Sequence, residues 1–89
     1  MTVDAVLEEV KKICGKYAAT GVVLFGSRAK GTALERSDID IAVSGVKEFD
    51  VLEEEIQEIP TLYTVDLVNL DTCGNKLLLE DIEKYGRKI

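Results

Sequence analysis

The chain contains no histidine and only two cysteines, Cys14 and Cys73, which stand far apart. Zinc sites built on His and Cys, and serine or cysteine nucleophiles that need an imidazole base, are therefore excluded. Cys14 falls among apolar residues at helical spacing and reads as a small core side chain, and nothing requires a disulfide. Glycine occurs seven times, but never as the Gly-x-Gly-x-x-Gly of a dinucleotide fold or as a glycine-rich loop ending in Gly-Lys-Ser/Thr. No apolar run reaches membrane-spanning length, and no repeat, linker or leader-like N-terminus stands out. One soluble cytoplasmic domain over residues 1–89, without membrane association, is the expectation.

What is present is a regular alternation of helical and strand patterns, which predicts a compact α/β (α+β) domain: a small mixed β-sheet flanked by helices. Val3, Val6, Leu7, Val10, Ile13, Cys14 and Tyr17 recur at helical spacing and predict a helix from about Thr2 to Ala18, ending ahead of Gly21. Val22 to Phe25 reads as a strand, Ser27 starts a short helix, and Asp38 to Val43 reads as a second strand. Phe49, Leu52, Ile56 and Ile59 mark a helix stopped by Pro60, and a strand is expected over Leu62 to Val68. Leu78, Ile82 and Tyr85 line a last helix, capped by Thr72 or Asp71 and ended by Gly86. Arg87 to Ile89 either begins another strand or frays.

The chemistry concentrates between the first two strands. Val22 to Phe25 ends abruptly at Gly26-Ser27, ten residues follow, and then comes Asp38-Ile39-Asp40. A strand stopped by Gly-Ser before a helical turn leaves backbone N–H groups free, and these favour phosphate oxygens. Gly26 lets the backbone approach a ligand, and Ser27 adds a hydroxyl. The plainer reading is that Ser27 caps a short helix and Gly26 turns the chain. Alternation in the second strand puts Asp38, Asp40 and Ala42 on one face and Ile39, Ile41 and Val43 on the other, so one face is expected to be core and the other a site. Two carboxylates side by side repel unless a cation compensates them, and magnesium with phosphate oxygens does so. The plainer reading here is a solvated acidic strand end.

The next strand pattern carries a further acid. Asp66 stands alone in the apolar, β-branched segment Leu62 to Val68, where an unpaired carboxylate is expensive to bury unless it faces a site or water. Asp50 and Asp71 fall where helices are expected to start and are explained by capping or by the helix dipole.

Charge is unevenly distributed. The net charge is −6, but residues 1–37 are net +2 and the remainder is net −8. No lysine and arginine stripe is present, so extended nucleic-acid binding is not expected. Arg28, Lys30 and Arg36 suit a single nucleotide better than a long polyanion. For Arg28 and Lys30, three roles stay open: holding phosphate, pairing with a carboxylate, or facing water. Glu53, Glu54, Glu55 and Glu58 read as the solvated side of a helix, with a surface for a basic partner as the alternative.

Gly26-Ser27, the ten-residue gap and Asp38-Ile39-Asp40 resemble the signature of the nucleotidyltransferase superfamily that includes DNA polymerase beta. The stretches Gly-Ser-Arg-Ala-Lys-Gly and Ser-Asp-Ile-Asp-Ile-Ala-Val are similar to those of the minimal nucleotidyltransferases of prokaryotes. The resemblance implies a polymerase beta palm-like fold with Asp38, Asp40 and Asp66 as catalytic metal ligands, two magnesium ions, and ATP as donor. It also implies that Gly26 and Ser27 hold the triphosphate, with Arg28 and Lys30 beside them, and that Asp66 is the general base. Such proteins are commonly paired with HEPN-domain proteins in toxin and antitoxin systems. With 89 residues there is no room for a separate acceptor-recognition domain, so the other wall of the cleft is expected from a second protein or another copy of the chain. The expectation is transfer of AMP, or another NMP, to a hydroxyl on a HEPN partner, giving antitoxin action. The alternative is a noncatalytic module of the same fold that neutralises its partner by binding.

Overall fold

The computed structural model describes residues 2–35 and 37–89. Arg36, one of the three cations singled out above, therefore lies outside the described residues. Helix α1 (Val3–Lys16) starts where the Thr2 hydroxyl accepts a hydrogen bond from Ala5 N, and it buries Val6, Val10, Ile13 and Cys14 along one stripe. It ends earlier than Gly21 would suggest. The amides of Ala18 and Ala19 bond back to the carbonyls of Gly15 and Cys14, and Ala18 takes the left-handed conformation (φ 59°) that glycine more often supplies at this place.

Strand β1 (Gly21–Phe25) leads into the short α2 (Ser27–Lys30), and β2 (Ile39–Ser44) follows. After β2 come α3 (Phe49–Gln57), β3 (Val65–Asn69), α4 (Lys76–Tyr85) and β4 (Arg87–Lys88). The sheet order is β3-β2-β1-β4. β1 runs antiparallel to both β2 and β4, whereas β2 and β3 are parallel and joined by the α3 crossover. This is the mixed sheet flanked by helices that the sequence predicts.

Ile39, Ile41 and Val43 are fully buried beneath α1 and α3, together with Leu24 and Val65 from the flanking strands. The opposite face differs from the sequence expectation. It is not simply a site, because α4 lays Ile82 and Leu78 over Phe25, Ala42, Val23 and Val68. Ala42 is as completely buried as the isoleucines on the other side. Only the end of that face, where β1 finishes and β2 and β3 begin, is left for Asp40 and Asp66.

Other differences have local causes. Asp38 precedes β2 instead of opening it, and β3 begins three residues later than Leu62. Leu62 and Tyr63 lie in the connection after Pro60, where Leu62 is fully exposed; β-type composition alone did not distinguish this segment from the strand. The cap of α4 is Asn75, whose side chain accepts from Leu78 N at 3.1 Å, and not Thr72 or Asp71. The Asp71 carboxylate instead accepts from Gly45 N at 2.8 Å, pinning the exit of β2. Glu55 is half-buried and pairs with Lys16 of α1, so one member of the acidic cluster joins two helices instead of being solvated. Cys14 is buried and Cys73 half-buried, and both are free thiols.

Candidate functional site

The site forms where three strand ends meet. β1 stops at Phe25, and the chain turns at Gly26 (φ 72°, ψ −155°) into α2. Phe25 is in register with Asp40 across the antiparallel β1–β2 pair, so the Asp40 carboxylate reaches the turn. A Cβ built on Gly26 would lie 2.2 Å from Asp40 Oδ2. Gly26 is thus required both by its left-handed backbone and by the carboxylate packed against it.

On its other side Asp40 is in register with Asp66 of the parallel β3. Neighbouring strands lie about 4.8 Å apart, and register partners project from the same face, so these two acids stand side by side. Asp38 sits one residue outside the ladder and is exposed, as is Asp66; Asp40 is half-buried.

The electrostatics follow from this crowding. Burial pushes the Asp40 carboxyl above its ordinary range, the negative charges of Asp66 and Asp38 push it further, and so does its hydrogen bond with Asp66. A proton shared between two acids and a divalent cation held between them relieve the same repulsion. Among the described residues, no three Asp, Glu or Cys side chains form a ready-made metal cage. The adjacent carboxylates nevertheless fit magnesium, a hard ion that takes one or two protein oxygens and completes its shell with water and phosphate.

At the turn itself, Gly26 occupies the helix N-cap and makes no side-chain cap bond, so capping does not account for Ser27. The Ser27 carbonyl accepts from Thr32 N at 2.9 Å, which closes the turn from behind.

The two nearby cations have protein partners. Arg28 donates from Nε and Nη2 to the Ser37 carbonyl at 3.2 and 2.7 Å, and from Nη2 to the Glu35 carbonyl at 3.2 Å. Its guanidinium also lies 5.0 Å from the centre of the Tyr63 ring. Lys30 pairs with Asp81 of α4 at 2.9 Å and sits over the Tyr85 ring. Sequence reasoning missed Tyr63, Asp81 and the Ser37 carbonyl as partners. No local pattern signals them: Asp81 and Tyr63 are remote in sequence, and the Ser37 carbonyl is a main-chain group that only the path of the α2–β2 loop brings to Arg28.

A cavity of about 490 Å³ lined by Lys47, Glu48, Phe49, Asp50, Val51, Asn69 and Thr72 lies at the far end of β3 and includes none of these residues. The acids lie at the opposite end of β3, with Asp38 and Asp66 exposed.

The family model described as Polymerase beta, Nucleotidyltransferase matches residues 8–89. The chain belongs to the polymerase beta nucleotidyltransferase family. No curated protein matches it closely enough to count as a relative. Among solved structures, this family member resembles a toxin-antitoxin complex with AMP-PNP, at 24% identity over 91% of this chain and 69% of that one, with a TM-score of 0.69. It also resembles an MntA-HpeT toxin-antitoxin variant carrying two aspartate-to-glutamate substitutions, at 24% identity, the same coverages and a TM-score of 0.71. A nucleotidyltransferase structure from Sulfolobus solfataricus matches at 24% identity over 94% of this chain and 76% of that one, with a TM-score of 0.58. At these identities the structural likeness establishes the fold. Among the described residues, no helix is long and apolar enough to cross a membrane.

Proposed function

We propose that this nucleotidyltransferase moves AMP from ATP to a hydroxyl on a partner protein of the HEPN type, releasing pyrophosphate. The observation that carries the reading is the Asp40 carboxylate wedged between the Gly26 turn and Asp66. In this arrangement the amides at Gly26 and Ser27, with the Ser27 hydroxyl, hold the triphosphate. Arg28 and Lys30 add positive charge beside it while their own donors are engaged by the protein.

The acceptor oxygen attacks the α-phosphorus, a new P–O bond forms, and the bond to the β-phosphate oxygen breaks. Asp66, exposed at the strand end, takes the acceptor proton. Asp38, Asp40 and Asp66 would hold magnesium, which supplies neutralisation of charge on the phosphate oxygens. The open sheet end leaves the acceptor wall to a partner, or to a second copy of the chain.

Two findings on relatives support the reading. One similar toxin-antitoxin structure carries AMP-PNP, an ATP analogue. Another bears its two aspartate substitutions two positions apart, the spacing of Asp38 and Asp40. The test is label transfer from ATP, with magnesium, to the protein encoded beside this chain. Transfer by the wild type and none by Asp38→Ala/Asp40→Ala is the expected result. Equal transfer by both proteins would reject this site. Partner neutralisation that survives the double substitution would favour the noncatalytic binding module, the reading suggested by relatives crystallised in complexes.

A further inference from the structure

We infer that Arg28 is a positioning residue that clamps the two acid-bearing loops to the phosphate turn, and does not itself ligate phosphate. The inference rests on the proposed transfer only for its kinetic consequence. Arg28 follows Ser27 in α2 and so moves with the turn. Its guanidinium grips the Ser37 carbonyl through two donors and the Glu35 carbonyl through one, and Ser37 is the residue immediately before Asp38. Its guanidinium lies over the ring of Tyr63, three residues before Asp66. Tyr63 is in turn packed against the main hydrophobic core, and its amide is tied to the Thr61 hydroxyl.

One side chain therefore touches the turn that carries Ser27, the loop that delivers Asp38 and the loop that delivers Asp66. The loop at Ser37 closes on itself as well, with Leu34 N donating to Ser37 Oγ at 2.8 Å and Ser37 N donating to Leu34 O at 3.1 Å. A guanidinium is suited to this work because its fork is rigid and its face stacks on an aromatic ring. Lysine would keep the charge and lose both the fork and the stack. A phosphate ligand and a clamp thus respond differently to Arg28→Lys: the first retains most of its function, and the second does not.

The test uses amide hydrogen exchange on the whole chain, which needs no catalysis, followed by transfer kinetics. In Arg28→Lys the Leu34 and Ser37 amides are expected to exchange faster by about tenfold or more, since hydrogen bonds from a charged donor are lost, while amides along α1 keep their rates. Tyr63→Leu is expected to reproduce the change and Tyr63→Phe to leave protection intact. Should Arg28→Lys fail to fold, shown by lost protection along α1, Tyr63→Leu decides by the same readout. Unchanged exchange at Leu34 and Ser37 overturns the inference. Where transfer is measurable, the clamp predicts a fall in kcat with KM for ATP held. A rise in KM with kcat held overturns the clamp in favour of a phosphate ligand. Wild-type protein that transfers no nucleotide, yet shows the exchange pattern, upholds the clamp and rejects the proposed reaction.

Discussion

Asp40 and Ala42 occupy the same face of the same strand, two residues apart, and have opposite fates. Ala42 is sealed beneath Ile82 of α4, whereas Asp40 is left half-buried against the Gly26 turn. The difference lies in their neighbours. β1 supplies Val23 opposite Ala42 and Phe25 opposite Asp40; β3 supplies Val68 and Asp66 at the same levels. On β2 and β3 the face changes from apolar to acidic within one residue pair, while β1 stays apolar with Val23 and Phe25. A sheet face is therefore not a unit of function, and the site begins where the covering helix stops.

The largest effect that would sharpen this contrast is on chemistry. Asp40→Ala should cut nucleotide transfer on the order of 10³-fold or more, because charge on the transferring phosphate loses its compensating centre. Thermal denaturation of the same variant should show the fold intact. Moving the acid two residues along should do the reverse: Ala42→Asp places an unpaired carboxylate under α4 and is expected to destabilise by about 3–5 kcal/mol. A urea unfolding curve for Ala42→Asp close to wild type would break the comparison.

Gly26→Ala comes next. The added methyl meets Asp40 Oδ2 in a backbone conformation that L residues seldom take, so the carboxylate or the turn must shift. A displacement of about 1 Å at a reacting group is worth about 10²-fold in rate, and initial-rate measurements at saturating ATP would detect it. The smallest effect concerns pH. Asp40 titrates above its ordinary range in the folded protein, so between the unfolded and folded values the native state binds more protons than the unfolded one. Stability from this group is full below the ordinary Asp value of about 3.9 and declines as pH rises through the raised folded value. Asp40→Asn should therefore raise Tm at neutral pH, with the gain closing in acid. A gain that persists below the ordinary Asp range would assign it to something other than this carboxyl.

Much of the fold was legible because the periodicities are clear. The α1 stripe of Val6, Val10, Ile13 and Cys14 and the alternation of Ile39, Ile41 and Val43 each need only local geometry to interpret. Gly26, Ser27, Asp38, Asp40 and Asp66 stood out as candidates through their combination and spacing, since each half of the motif alone has a plain structural explanation. Three features were less legible. The segment at Leu62 has strand composition but forms the connection before β3, and the cap of α4 fell to Asn75 because several polar residues there could serve. The engagement of Lys30 depended on a side chain remote in sequence, and that of Arg28 on the path of a loop that no local pattern specifies.

By itself, then, the sequence determined most of the succession of helices and strands, the glycine turn after β1 and the identity of the acids, since these follow from backbone preference and side-chain chemistry acting over a few residues. Register decided the rest. Only the pairing of Phe25 with Asp40 and of Asp40 with Asp66 brought the glycine turn and two carboxylates to one sheet end. Only the placement of α4 decided that Ala42 would be core while Asp40 would not. Pairing and layer packing sum contacts between distant segments, and no local stretch of chain contains them.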